Sequence, residues 1–409
     1  MIAKWLNRAA GGLLLGVSLF GGGGCRGSLP EAGQGAHWHP DPARLPPLEA
    51  FDWIATPQDS DSVLQAWAAR LQQAHLKWEV GTWIAEDRYR MFGKIWDVVI
   101  DGTGRVVVLD FENQEVRIYD QDGRFVTLVG RQGEGPGEYI QAGHLLVGVN
   151  DTLYVYDYSR ALFVVYRRQG SGYEFVRLLD LPVGASFLND GCLHANGHLI
   201  TQQTSRLRED PLFFEIDLSP TVVRSFGRHR HYATREQEGF LHSEIYRAFV
   251  ACGEGVVASY LFFPIVDYFV EDQRYSFFLD GIYLQPFLLI DNRIAEYYRT
   301  DSFIEEYAYT GQVDDLIEPV LLEEDLLFYT FIRYESERGR LIKKYPMAYL
   351  LDLRRRKAMR LNLETYPFAT LVAVRDSVLI RFRWDLFQQE IPHIAYYVLP
   401  AQPPRKRVS

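Results

Sequence analysis

One unit, repeated, limits what this chain can fold into: an apolar stretch, a tight polar or glycine turn, and a second apolar stretch. It occurs six times. Trp96–Asp110 reads WDVVIDGTGRVVVLD and Leu145–Asp157 reads LLVGVNDTLYVYD, and weaker copies run over Cys192–Gln202, Phe249–Tyr260, Val320–Phe331 and Leu371–Phe382. β-Branched and aromatic residues suit a pleated, half-buried surface, so each unit reads as a hairpin. The closing aspartates of the first two units, Asp110 and Asp157, lie 157 − 110 = 47 residues apart, close to the period of propeller repeats. Further strands follow, VRIYDQDGRFVTLVG from Val116 and FVVYRRQGSGYEFVRLL from Phe163, and four strands make one blade. The pattern predicts an all-β chain, a six-bladed β-propeller.

The sixth repeat runs out after a third strand, Ile394–Pro400, while an unassigned strand, Trp78–Ala85, precedes the first. Pairing these two ends closes the ring and removes sheet edges that would otherwise invite aggregation. Val63, Leu64, Trp67 and Leu71 recur at helical spacing behind Asp59-Ser60-Asp61, which predicts one short helix over Ser62–His75. His229–Glu244 and Asp280–Asp314 read as inserted loops.

Composition narrows the class. Hydrophobic residues make up 47% of the 409 and aromatics 14%, enough for a substantial β core. A formal net charge of −10 gives no basis for nucleic-acid binding, which needs a clustered basic surface. At the N-terminus, Lys4 and Arg8 precede the apolar stretch Ala9–Phe20 and the small residues Gly21–Gly24, then Cys25. That order resembles a bacterial lipoprotein signal, with Cys25 as the lipidated residue. Uncleaved anchoring and ordinary signal cleavage are the alternatives, and all three export the folded part. The resulting organisation is a signal peptide over 1–24, a flexible tether and short helix over 25–77, the propeller over 78–401 and a basic tail over 402–409. The expected site is the cell envelope, outer membrane or periplasmic face, with a membrane contact through the N-terminal lipid and a monomeric body. Cys192 and Cys252 form an even pair that could be a disulfide in an oxidising compartment. Two separately buried thiols acting as small hydrophobes are the preferred reading.

Arg117–Tyr139 reads RIYDQDGRFVTLVGRQGEGPGEY. It resembles the NHL-like six-bladed β-propeller lipoproteins of bacteria, a TolB-like propeller type, in which a Tyr-Asp strand end, an Asp-Gly hairpin and a Gly-x-Gly-Pro-Gly-Glu-aromatic loop follow in this order. The close match covers about two blades. It implies the fold and no assigned activity. The loop residues Gly133, Gly135, Pro136, Gly137, Glu138 and Tyr139 also have a physical reading. The glycines permit positive φ where an outer strand turns back to the next inner one, Pro136 limits the crossing, and Glu138 is placed to accept backbone N–H groups. A phosphate cradle would need a following Lys-Ser/Thr and a helix, which are missing.

No Gly-x-Ser-x-Gly elbow and no activated cysteine appears, and no cofactor motif. His229, His231 and His242 are weak metal ligand candidates without a fixed-spacing motif, and no metal is expected. Arginines recur beside aromatic or polar residues after the second strand of several repeats: Tyr158-Ser159-Arg160, Arg206, Arg333-Tyr334 and Arg383-Trp384. Ring closure turns such positions into neighbours on one channel mouth, where they suit a carboxylate or a sugar. Pairing with nearby acids such as Asp157 is the competing reading and the favoured one. Three function classes stay open: a binding propeller for an anionic or glycan ligand or an envelope protein, a channel-mouth lyase or hydrolase with metal assistance as an option, and an envelope structural component.

Overall fold

The computed structural model describes residues 53–55, 61–82, 86–183, 185–203, 211–228, 248–260, 263–271, 273–279, 319–337, 340–362, 371–383 and 391–401. Strand β1 (Trp53–Ala55), helix α1 (Ser62–Gln72) and strand β2 (His75–Val80) come first. Blade 1 is then β3 (Ile95–Ile100), β4 (Val106–Asp110), β5 (Glu115–Tyr119) and β6 (Phe125–Val129), antiparallel in chain order. Blade 2 is β7 (Ala142–Val147), β8 (Leu153–Asp157), β9 (Leu162–Gln169) and β10 (Gly172–Asp180). Blade 3 is β11 (Ala185–Leu193), β12 (Leu199–Gln203), β13 (Pro211–Ile216) and β14 (Val222–Arg228). Blade 4 is β15 (Ala248–Cys252), β16 (Val256–Tyr260), β17 (Phe263–Val270) and β18 (Gln273–Leu279), with β1 added parallel to β18. Blade 5 is β19 (Val320–Glu323), β20 (Leu326–Glu337), β21 (Arg340–Asp352) and β22 (Lys357–Leu361). From the C-terminus come only β23 (Leu371–Arg375), β24 (Val378–Arg383) and β25 (His393–Val398) of blade 6.

The first strand of each blade touches the first strand of the next, from β3 through β7, β11, β15, β19 and β23 back to β3. These strands are therefore the inner wall of a closed six-bladed β-propeller. Closure uses β2, which pairs antiparallel with β25 from His75↔Val398 to Val80↔Ile394 and so supplies the missing outer strand of blade 6. The strand starts three residues before the predicted Trp78, because α1 stops at Gln72 and the chain extends from His75. Asp61 caps α1 by accepting the N–H groups of Val63 and Leu64. The apolar stripe Leu64, Trp67, Ala68 and Leu71 is buried against residues of blades 5 and 6, among them Leu326, Leu350, Leu379 and Tyr397. Each large side chain buried there contributes roughly 1.5–3 kcal/mol. The helix is thus part of the body.

Turns between first and second strands, and between third and fourth, share the lower face; the remaining connections share the upper face. On the lower face one device recurs. Oδ1 of Asp101 accepts the N–H groups of Thr103 and Arg105 at 2.9 and 3.0 Å. Asp120 holds Asp122 and Arg124, and Asp217 holds Ser219 and Thr221, all at 2.9 Å. Gly104 and Gly123 take φ of 78° and 76° in the first two of these turns, where a side chain would be strained.

Cys192 and Cys252 form a disulfide with Cα atoms 5.6 Å apart. The reading as separate thiols is corrected: β11 and β15 are adjacent inner strands, so two residues 60 apart in sequence meet across the boundary of blades 3 and 4.

Candidate functional site

The upper face of blades 1 and 2 is built on two buried aspartates. Asp110, at the end of β4, accepts from the N–H groups of Gly93 and Lys94, both at 3.1 Å, and from Asn113. Asp157, at the end of β8, accepts from the N–H groups of Ile140, Gln141, Ser159 and Arg160. Each carboxylate ties the loop entering its blade to the turn between second and third strands. A guanidinium completes each clamp: Arg117 lies 3.1 Å from Asp110, and Arg160 Nε lies 2.8 Å from Asp157. Arg160 also donates to the carbonyl of Glu138.

The loop from Gly130 to Tyr139 crosses from blade 1 to blade 2 beside this clamp. Glu138 accepts the Gly135 N–H at 2.8 Å and pairs with Arg131, and these two contacts hold its carboxyl below the usual range. Of the three loop glycines only Gly137 has positive φ, 73°. At Gly133 the glycine leaves room for the Glu138 carboxylate, which a Cβ there would have to displace. Tyr139 is buried between the blades, its hydroxyl near Val116 N and Val129 O, and burial pushes its phenol well up. Tyr166 donates to Gly137 O at 3.0 Å. This loop is a spacer between blades.

Next to the clamps, two inner strands meet in a polar chain. Asp97 on β3 and His144 on β7 follow a register shift at the same place of their blades. Oδ1 of Asp97 accepts the Val98 N–H and Oδ2 the Leu145 N–H, both at 2.7 Å, which fixes the carboxylate on the channel wall. His144 Nδ1 stands 3.5 Å from Asp97 Oδ2, and its Nε2 is 2.9 Å from the hydroxyl of Tyr158. In the tautomer protonated on Nδ1, the N–H faces the carboxylate and the Nε2 lone pair accepts the phenol O–H. The half-buried Tyr158 ring lies where a Cβ on Gly143 would be, 2.2 Å from Cε2, so glycine is the residue that admits it.

Among the arginines singled out in sequence, Arg160 is committed to Asp157 and Glu138. In blade 1 its place is taken by Asn113, which makes the same pair of bonds to Asp110. Arg333 and Tyr334 do not follow a turn: β20 continues to Glu337 and pairs with β21 as a ribbon, Arg333 opposite Tyr345. Arg383 ends β24 opposite His393. The side chains of Arg333, Tyr334 and Arg383 lie outside the described residues, as do Cys25, Arg206, Trp384, His229, His231 and His242 and both inserted loops. Among the described residues no group of three metal-ligating side chains is found. Asp97 and His144 were not singled out. Their signal is the repeat itself, since 144 − 97 = 47 equals the Asp110 to Asp157 spacing.

A family described as a 6-bladed beta-propeller matches residues 90–280. No curated protein matches the sequence. Among solved structures, a proposed exported protein from Bacteroides fragilis is similar over 85% of this chain and 99% of its own, with a TM-score of 0.51 and 12% identity. A member of the DUF4221 family from Bacteroides vulgatus is similar over 80% and 98%, with a TM-score of 0.46 and 8% identity. Virginiamycin B lyase from Staphylococcus aureus is similar over 80% and 100%, with a TM-score of 0.42 and 7% identity. At such identities the likeness concerns the fold. The matched family and the closed circuit of six sheets together identify the chain as a six-bladed β-propeller.

Proposed function

We propose that this chain is an exported, lipid-anchored propeller of NHL-like type that binds an anionic or sugar-like ligand at its upper channel mouth. The observation that carries the reading is the polar wall of Asp97, His144 and half-buried Tyr158 at the upper ends of the innermost strands. Fixed donors, acceptors and a ring face at one mouth are what a hydroxylated ligand requires. Export is supported by the Cys192–Cys252 disulfide, a bond that persists in oxidising compartments. Cys25 behind its basic, apolar and small-residue leader supports the lipid anchor.

Arg206, Arg333 and Arg383 are the remaining cationic candidates for the rim, because Arg160 serves the Asp157 clamp. The test is capture of purified protein on immobilised polygalacturonate, comparing the native chain with Arg333→Ala/Arg383→Ala and with Tyr158→Ala. Salt-sensitive capture that both variants weaken, at native melting temperature, is the expected result. Equal retention of all three proteins leaves no support for ligand binding at this mouth.

A further inference from the structure

Three side chains at the upper mouth have the arrangement of a nucleophile, its base and the group that orients the base. We propose that Tyr158, His144 and Asp97 are an acid–base relay in which the Tyr158 oxygen attacks small acyl esters. The proposal rests on the mouth used by the binding reading and adds chemistry to it.

The nucleophile and its base are in hydrogen-bond contact, and the carboxylate stands at ion-pair distance behind the base. The phenol oxygen and the imidazole Nε2 are 2.9 Å apart, within the 2.6–3.2 Å expected of a nucleophile and its base. On the other side of the ring, Asp97 is held by two main-chain N–H groups with Oδ2 3.5 Å from Nδ1, an ion-pair distance rather than a hydrogen bond. His144 is buried and is met from β3 by Asp97 and from the β8–β9 turn by Tyr158, so its ring has one orientation. Tyr158 is half-buried, with its ring over Gly143 and edge-on to Tyr156 at 5.5 Å.

The step balances without a cofactor. Tyr158 Oη forms a bond to the acyl carbon while its proton passes to His144 Nε2. The bond from that carbon to the leaving oxygen breaks, and the leaving group departs with the electron pair, taking the proton from the imidazolium or, where it leaves as an anion, with the imidazolium releasing that proton to solvent, so that His144 is neutral again. The enzyme is left as an aryl ester at Tyr158. Water then attacks the acyl carbon, His144 Nε2 accepts its proton, and Tyr158 leaves as phenolate and recovers that proton. Asp97 stabilises the imidazolium and is a positioning residue.

The probe is p-nitrophenyl acetate, read both as p-nitrophenolate release and as acetyl groups mapped to individual tyrosines by mass spectrometry of the full chain. Tyr158 should acquire acetyl at least about tenfold faster than the half-buried Tyr275, and His144→Gln should slow it by about a hundredfold, the scale of general-base assistance. Tyr158→Phe should abolish the fast phase. Asp97→Asn should slow acetylation of Tyr158 at native melting temperature and Asp97→Glu should restore the rate, whereas a purely structural carboxylate would move the melting temperature instead. Melting curves identify any variant that fails to fold, and the native-chain comparison of Tyr158 with Tyr275 needs no variant. Labelling of Tyr158 no faster than Tyr275, or unaffected by His144→Gln in a folded protein, overturns the proposal. Since the probe carries no sugar, a negative result here leaves glycan capture untouched, and failed capture leaves this assay untouched.

Discussion

Blades 1 and 2 share one backbone plan at the upper face and fill it with opposite chemistry. Trp96 and Gly143 occupy the same place, 143 − 96 = 47, and so do Phe111 and Tyr158, 158 − 111 = 47. The register shift after the first residue of the inner strand is present in both. Phe111 N–H bonds Lys94 O at 2.7 Å, and Tyr158 N–H bonds Gln141 O at 2.8 Å. Yet blade 1 stacks Trp96 on Phe111, centroids 4.9 Å apart, with the Lys94 amine 4.6 Å above the indole. Blade 2 leaves a glycine there and sets a hydrogen-bonded phenol and imidazole in the freed space. The scaffold therefore lies in what the blades share, and the candidate chemistry in where they part.

The largest expected effect tests the shared part. Asp157→Ala strands the N–H groups of two chain segments and unpairs Arg160, and a loss of about 3–5 kcal/mol is expected in urea unfolding, the scale for breaking a buried pair. Asp110→Ala should cost less than Asp157→Ala, because Arg117 stays paired with Glu115 at 2.7 Å and donates to Met91 O, whereas Arg160 keeps only the carbonyl of Glu138. Equal losses would mean that the backbone contacts alone make the clamp.

A middle-sized effect probes the point of divergence. Trp96→Ala removes a stacked, partly buried ring and should cost about 2–3 kcal/mol, below the full range for a buried tryptophan. Gly143→Ala should cost about 1–3 kcal/mol by driving its Cβ into the Tyr158 ring, with loss of the His144 contact. Urea unfolding and the imidazole proton resonances of His144 report the two. A Gly143→Ala protein with native stability and an unchanged His144 signal would show that the ring has room to spare.

This divergence also explains what the sequence made legible. Strands show themselves because side chains alternate within a few residues, so β4 and β8 were readable with their closing aspartates, and so was the strand that closes blade 6. The Cys192–Cys252 bond was not, since it depends on which inner strands neighbour each other rather than on any local pattern. Arg160 illustrates the converse: its recurrence beside an aromatic residue offered a ligand, and the favoured reading, pairing with the aspartate three residues before it, is the one found. Asp97 and His144 were hidden for a different reason. Superposing repeats looks for sameness, and these two share a position while differing in identity.

The smallest effect separates a structural from a chemical purpose for the polar chain. Tyr158→Phe keeps the ring over Gly143 and deletes one hydroxyl, so its cost should be about 1–2 kcal/mol, one hydrogen bond lost and the buried His144 Nε2 left without it. The backbone bond from Tyr158 N–H to Gln141 O survives the change, and Asp157 still holds the turn through Ser159 and Arg160. Urea unfolding of Tyr158→Phe beside Asp157→Ala gives the contrast directly. A loss near that of Asp157→Ala would make the phenol another clamp, like the aspartates below it. A loss of about 1–2 kcal/mol would mean that blade 2 gives up the tilted ring pair of blade 1 for a chain that contributes little to stability, which is the pattern expected where a site is kept for its chemistry.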